Sequence, residues 1–168
     1  MKIQINIPET LDDITLRQYQ LFNKIEEPTI DQTLTTFLNI SLDQLNRLPA
    51  EKIEGYATQI NSVFEQDKQF TPTFVLDGVK YGFIPKLDDI TYGENKDLTT
   101  YLNDFKDMHK AMAVMYRPIT QEQRGKYLIE DYEGSAKYSE QMRDAPLSVV
   151  LGATVFFYNL MNEIGRAH

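Results

Sequence analysis

The chain has 168 residues and a formal charge of −8, from 17 Lys and Arg against 25 Asp and Glu. That length suits one domain with a sizeable core. The acidic balance argues against generic nucleic-acid binding, which wants a basic patch, and Lys and Arg never run longer than a pair. No cysteine is present, which excludes disulfides, Cys-ligated zinc, iron–sulfur clusters and thiol catalysis together.

The first residues alternate. Ile3, Ile5 and Ile7 share one face and Lys2, Gln4 and Asn6 the other, which predicts a strand over 2–7 rather than the continuous apolar run of a signal peptide. Pro8 ends it. Thr15 with Gln18 three positions later reads as a capping box, opening a helix over 16–26 with Leu16, Tyr19 and Phe22 inward and Pro28 beyond its end. A second helix follows Asp31 with Leu34, Phe37 and Leu38 apolar. Ser41 and Gln44 form another capping pattern for a short helix, and Ile53, Ala57, Ile60 and Phe64 mark a longer one from about Ala50.

Residues 73–84 read as a β-hairpin about Asp77-Gly78, a pair that suits a type I′ turn because both central residues need positive φ. A lone hairpin is marginal in water, so the 2–7 strand is expected to join it as a third strand. Leu98, Leu102, Phe105, Met108, Met112 and Met115 predict one amphipathic helix ending before Pro118. Residues 119–133 are mostly polar around Tyr127-Leu128-Ile129 and read as a surface loop or arm. Residues 134–144 suggest a modest helix, and the segment from Leu147 to Ile164 is the most apolar of the chain. Pro146, Ser148, Gly152, Thr154 and Asn159 interrupt it, so a buried helix or one packed on a neighbouring subunit fits better than a membrane span. The expected class is α+β, mainly helical, with a small antiparallel sheet from the N-terminal strand and the hairpin near 73–84. It forms a single domain over 1–168, with two sub-lobes, 1–68 and 69–168, as a possible division at the polar stretch 65–69.

One phrase occurs twice. Ile7-Pro8-Glu9-Thr10-Leu11-Asp12-Asp13-Ile14-Thr15 is answered by Ile84-Pro85-Lys86-Leu87-Asp88-Asp89-Ile90-Thr91, one residue shorter. Its acidic pairs invite a divalent-cation reading, but a calcium loop needs more oxygen ligands and a central Gly. Acids ahead of a Thr-capped helix are explained by the helix dipole. His109 has no acid at the position facing it, so it reads as a half-buried structural histidine rather than a catalytic one. Gly-rich phosphate loops, nucleophile elbows and zincin patterns are missing. Two-carboxylate hydrolysis has no positive sign, although that geometry is set in three dimensions. No catalytic residue, metal ligand or cofactor is expected. The Met108, Met112, Met115 stripe reads first as core and second as an adaptable contact surface, and Arg117 as a helix-end cation or a partner for an acid across an interface.

Three features together carry a resemblance: Leu-Asp-Asp-Ile-Thr opening the Leu16-Arg17-Gln18-Tyr19 helix; a hairpin leading into Phe83-Ile84-Pro85 and the second Leu-Asp-Asp-Ile-Thr; and Ala113-Val114-Met115-Tyr116-Arg117-Pro118-Ile119 followed by a polar arm. The chain resembles small proteins encoded among the structural genes of tailed bacteriophages, the crAss-like phages of Bacteroidetes hosts in particular. The resemblance covers most of the chain and transfers no functional residue. It implies a non-enzymatic virion protein: a head–tail connector or tail ring, or a packed internal component. Such a protein would be located in the virion and in the host cytoplasm during assembly. It implies other phage structural proteins and copies of itself as partners, with neither nucleic acid nor membrane bound directly. A tail assembly chaperone absent from the particle is the alternative, and a small carboxylate-using hydrolase the second. Candidate interface residues are Met112, Met115, Tyr116, Arg117, Tyr127, Leu128, Ile129, Phe156 and Phe157.

Overall fold

The computed structural model describes the backbone of residues 4–167 and the side chains of residues 4–160. Its helices largely start where the sequence supplies caps. Thr15 opens α1 (Leu16–Asn23), Thr29 opens α2 (Ile30–Phe37), Ser41 opens α3 (Leu42–Asn46) and Thr91 opens α5 (Tyr92–Tyr101). In each, the hydroxyl accepts the N–H three residues on, and a Gln or Glu there accepts the cap's own N–H, so two orphan donors are satisfied at once. The remaining helices are α4 (Ile53–Phe64), α6 (Met108–Met115) and α7 (Leu147–Ala167).

Four strands form one antiparallel meander in sequence order: β1 (Thr73–Leu76), β2 (Val79–Phe83), β3 (Tyr116–Gln123) and β4 (Lys126–Ile129). The α+β, mainly helical class holds, but the sheet is recruited differently from the sequence expectation. Residues 4–7 are not a strand, and Met1, Lys2 and Ile3 lie outside the described residues. The third strand is β3, pairing Phe83 with Tyr116, Gly82 with Arg117 and Tyr81 with Pro118. The polar arm is therefore a second hairpin. Its turn is Arg124-Gly125, with φ of 53° and 77°, close to the 50° and 78° of Asp77-Gly78 in the first.

The helix expected to run unbroken to Pro118 is two helices. Asp104 accepts the Lys106 N–H at 3.1 Å and starts a 3₁₀ turn over Phe105–Asp107, which re-aims the chain before α6. At Tyr116 the backbone becomes extended, φ −121° and ψ 130°, so α6 passes directly into β3. The α1 helix stops at Asn23, short of Glu26, and residues 134–144 hold only a 3₁₀ turn over Gln141–Asp144 in place of a helix.

Both copies of the repeated phrase make the same local object: a one-turn 3₁₀ helix, Leu11–Asp13 or Leu87–Asp89, delivered into a Thr-capped α-helix. In the first copy the acids serve this geometry. Asp13 accepts the N–H groups of Glu9 and Thr10, and Asp12 accepts the Ser148 hydroxyl. The first copy is tied to the start of α7, with Leu147 N–H on the Ile14 carbonyl at 2.7 Å and Leu16 N–H on the Ala145 carbonyl at 3.0 Å. The second is tied to the end of α6, with Ile84 N–H on the Met115 carbonyl at 2.9 Å.

One cluster of buried residues runs from Leu11 to Phe157 through both the helical first part and the sheet. Aromatic rings tie the sheet to α7. Phe70 stacks on Phe156 at 4.0 Å between centroids, and Phe83 meets Phe70, Tyr116 and Phe156 edge-on.

Candidate functional site

At the centre of the sheet lies Arg117. As a β3 residue opposite Gly82, it emerges on the face that carries α5. Its guanidinium donates to Glu94 at 2.9 Å, to the Val114 carbonyl at 2.6 Å and to the Glu130 carbonyl at 2.7 Å, and Tyr132 lies against it at 5.3 Å from the ring centre. Glu94 is the closing acid of the α5 capping box. One oxygen accepts the Thr91 N–H and hydroxyl, and the other takes Arg117. The pair is sealed, with side chains 7% and 6% exposed. All three hydrogen bonds the carboxylate accepts serve the fold, and the arginine finds its acid inside the chain rather than across an interface.

Around this pair sit three more short-range polar links. Tyr132 donates to Asp97, Tyr138 donates to Glu130, and Lys137 approaches Glu130 at 3.7 Å. Burial and the Asp97 hydrogen bond push the Tyr132 phenol well above its usual range; burial, and then the Glu130 hydrogen bond, raise Tyr138. Both phenols stay protonated at neutral pH and act as donors. The cleft above them, about 270 Å³, is lined by Thr120, Glu130, Asp131, Glu133 and Lys137 among others.

His109 is 3% exposed on α6. Arg143 reaches its Nε2 at 3.0 Å and Gln20 lies 3.1 Å from its Nδ1, while Arg143 also donates to the Gln20 carbonyl oxygen at 2.9 Å. Burial first, and the Arg143 charge second, lower the imidazole pKa. The cluster staples α1, α6 and the turn before α7 together, and the ring is buried rather than half-buried as expected.

The candidate interface residues divide into three groups. Met112, Met115 and Tyr116 are fully buried, Arg117 is 6% exposed and Phe157 7% exposed, all within this chain's own core. They are therefore packing residues of the single copy, because α6 is covered by the chain's own sheet and helices. Phe156 is half-buried in its stack on Phe70. The other three, Tyr127, Leu128 and Ile129, are brought together on β4. Tyr127 lies over Gly82, where a Cβ would stand 2.9 Å from its Cδ2, and donates to the Phe83 carbonyl at 2.7 Å. Ile129 packs beside it against the core, and Leu128 points outward, 58% exposed. Val75 and Val79 on the first hairpin, 62% and 40% exposed, do not stand out by periodicity because strands of four and five residues carry too short a pattern.

Among the described residues no group of three or more His, Asp and Glu is placed to hold a metal, no buried side-chain nitrogen or oxygen lacks a partner, and no helix is long and apolar enough to cross a membrane. Comparison of the chain with protein-family models, with curated proteins and with solved structures gives no match.

Proposed function

We propose that this chain is a non-enzymatic structural or assembly component of a tailed-phage virion that works through protein–protein contacts. One observation carries the reading: the buried polar groups of the described residues are all engaged in holding the fold, while Val75, Val79 and Leu128 on the two hairpins are left exposed. The Glu94–Arg117 pair, the Gln20–His109–Arg143 cluster and the tyrosine–carboxylate links each close on themselves. The two hairpins, by contrast, present Val75, Val79 and Leu128 to solvent, and among the described residues β1 and β4 each have a single ladder partner. A sheet edge of that kind is a template for another chain. The resemblance to phage structural-gene products supplies the setting, with neighbours in a connector, tail or internal layer as the partners.

Quantitative mass spectrometry of purified particles tests this. The expected result is a stoichiometric signal, near a multiple of six if the protein sits in a ring. Absence from the particle together with abundance in infected-cell lysate would overturn the virion role in favour of an assembly chaperone.

A further inference from the structure

We infer that β4 is a self-complementary dimerisation strand, pairing antiparallel with β4 of a second copy about a two-fold axis through Leu128. The strand and the residue after it read Lys126-Tyr127-Leu128-Ile129-Glu130. In an antiparallel pair centred on Leu128, Leu128 faces Leu128, Tyr127 faces Ile129 in both directions, and Lys126 faces Glu130 in both directions. The sequence is thus complementary to itself in charge and in shape.

The backbone is set for that register. Among the described residues β4 has β3 as its one ladder partner, so its other edge carries no strand, and a cleft there separates Lys126, Tyr127 and Leu128 from Ile84, Pro85 and Lys86. Ile129 pairs with Ile119, and the bond flanking that pair runs from Glu130 N–H to the Pro118 carbonyl at 3.1 Å. In an antiparallel ladder this pattern turns the N–H and C=O of Ile129, and by alternation those of Tyr127, away from β3. Those two residues exchange both bonds in the two-fold register. The side chains agree as well. Tyr127 and Ile129 are held on the packed face, whereas Lys126, Leu128 and Glu130 share the other, where Lys126 and Leu128 are exposed.

The first hairpin lacks these properties. Its edge strand β1, with Asp77 after it, reads Thr73-Phe74-Val75-Leu76-Asp77, which offers no cation to meet the acid in a self-pair. A lone exposed Leu on an edge strand is ordinarily guarded by like charges on the edge. Here the flanking charges are of opposite sign and spaced to attract their own copies. Pairing of two such short edges is small beside the roughly 1,600 Å² of a standard interface. The dimer is therefore expected to be reversible, concentration-dependent and weakened by salt.

This inference needs only the chain itself, so it stands or falls separately from the virion role. Sedimentation velocity of the full chain over a wide concentration range, with far-UV circular dichroism on each variant, tests it. The wild type is expected to show a monomer–dimer equilibrium. K126E, which sets like charges across both ends of the pair, and L128K, which does so at its centre, are each expected to weaken it at least about tenfold, the equivalent of about 1.4 kcal/mol. Both sites are exposed, so these variants should fold. Glu130 also accepts from Tyr138, so the double variant is K126E/E130Q, whose amide oxygen can still accept that bond; it removes the like-charge repulsion of K126E and is expected to dimerise again. A wild type that stays monomeric throughout, a dimer indifferent to K126E and L128K, or a folded double variant that remains monomeric would each overturn the proposal.

Discussion

Arg117 and Glu94 join the strand that leaves α6 to the first turn of α5, at 2.9 Å and with both side chains almost wholly removed from solvent. The relationship binds two features that each have a local reason to exist. Glu94 closes a helix cap; Arg117 follows the residue at which helix becomes strand. Their contact fixes how the second repeated phrase is laid across the sheet.

Removing one member of a buried pair leaves an uncompensated charge and typically costs about 3–5 kcal/mol, whereas replacing both is far milder. E94Q keeps a residue able to close the capping box, so it isolates the charge. We expect E94Q and R117M each to lower the urea midpoint strongly, and E94Q/R117M to recover part of the loss. A double-mutant cycle from chemical denaturation measures the coupling. Additive single effects would show that the pair contributes through separate contacts.

Two helical glycines make opposite predictions for one substitution. A Cβ on Gly152 of α7 would overlap the Gln69 carbonyl and stand 2.8 Å from its carbon, so α7 and the segment before β1 approach backbone to backbone. A Cβ on Gly55 of α4 would meet nothing within 4 Å. Overpacking against backbone costs about 1–3 kcal/mol, while Gly to Ala in an open helix stabilises by about 0.5–1 kcal/mol. G152A is therefore expected to lower the melting temperature and G55A to raise it. Thermal denaturation followed by circular dichroism separates the two signs.

Much of the fold was legible where a short motif sets a local conformation. Thr15 with Gln18, Ser41 with Gln44 and Asp77-Gly78 each specify their cap or turn with little help from the rest of the chain. The second hairpin was not legible, because Arg124 is an unusual residue at positive φ and its polar neighbours look like loop. The break before α6 was hidden because the apolar spacing from Leu98 to Met115 continues across a turn that Asp104 creates. Among the candidate contact residues, periodicity marked Met112 and Met115 as one face of a helix, but only the path of β2 and β3 decides that the chain covers this face itself. Leu128 remained outside because it alternates with Tyr127 and Ile129, which take the packed face of β4.

His109 makes the stability of the fold sensitive to acid. A neutral imidazole has one lone pair to present to the Arg143 guanidinium and the Gln20 amide, and an imidazolium has none. Of the other charged groups around it, Lys110 acts with Arg143 to lower the pKa, and Glu140 and Asp107 oppose them without reversing the direction. The folded pKa thus lies below the value of 6.5 taken for a free histidine. Above that value both folded and unfolded rings are neutral, and the site carries no penalty. As the pH falls below it, the unfolded chain takes up the proton first and the folded chain resists, so stability declines until the folded pKa is passed. Unfolding free energy measured by urea titration at stepped pH should therefore fall on acidification from about 6.5. In H109Q, which keeps a side chain able to meet both neighbours but cannot take the proton, that part of the slope should flatten. An unchanged slope in a folded H109Q would assign the acid sensitivity to the carboxylates instead.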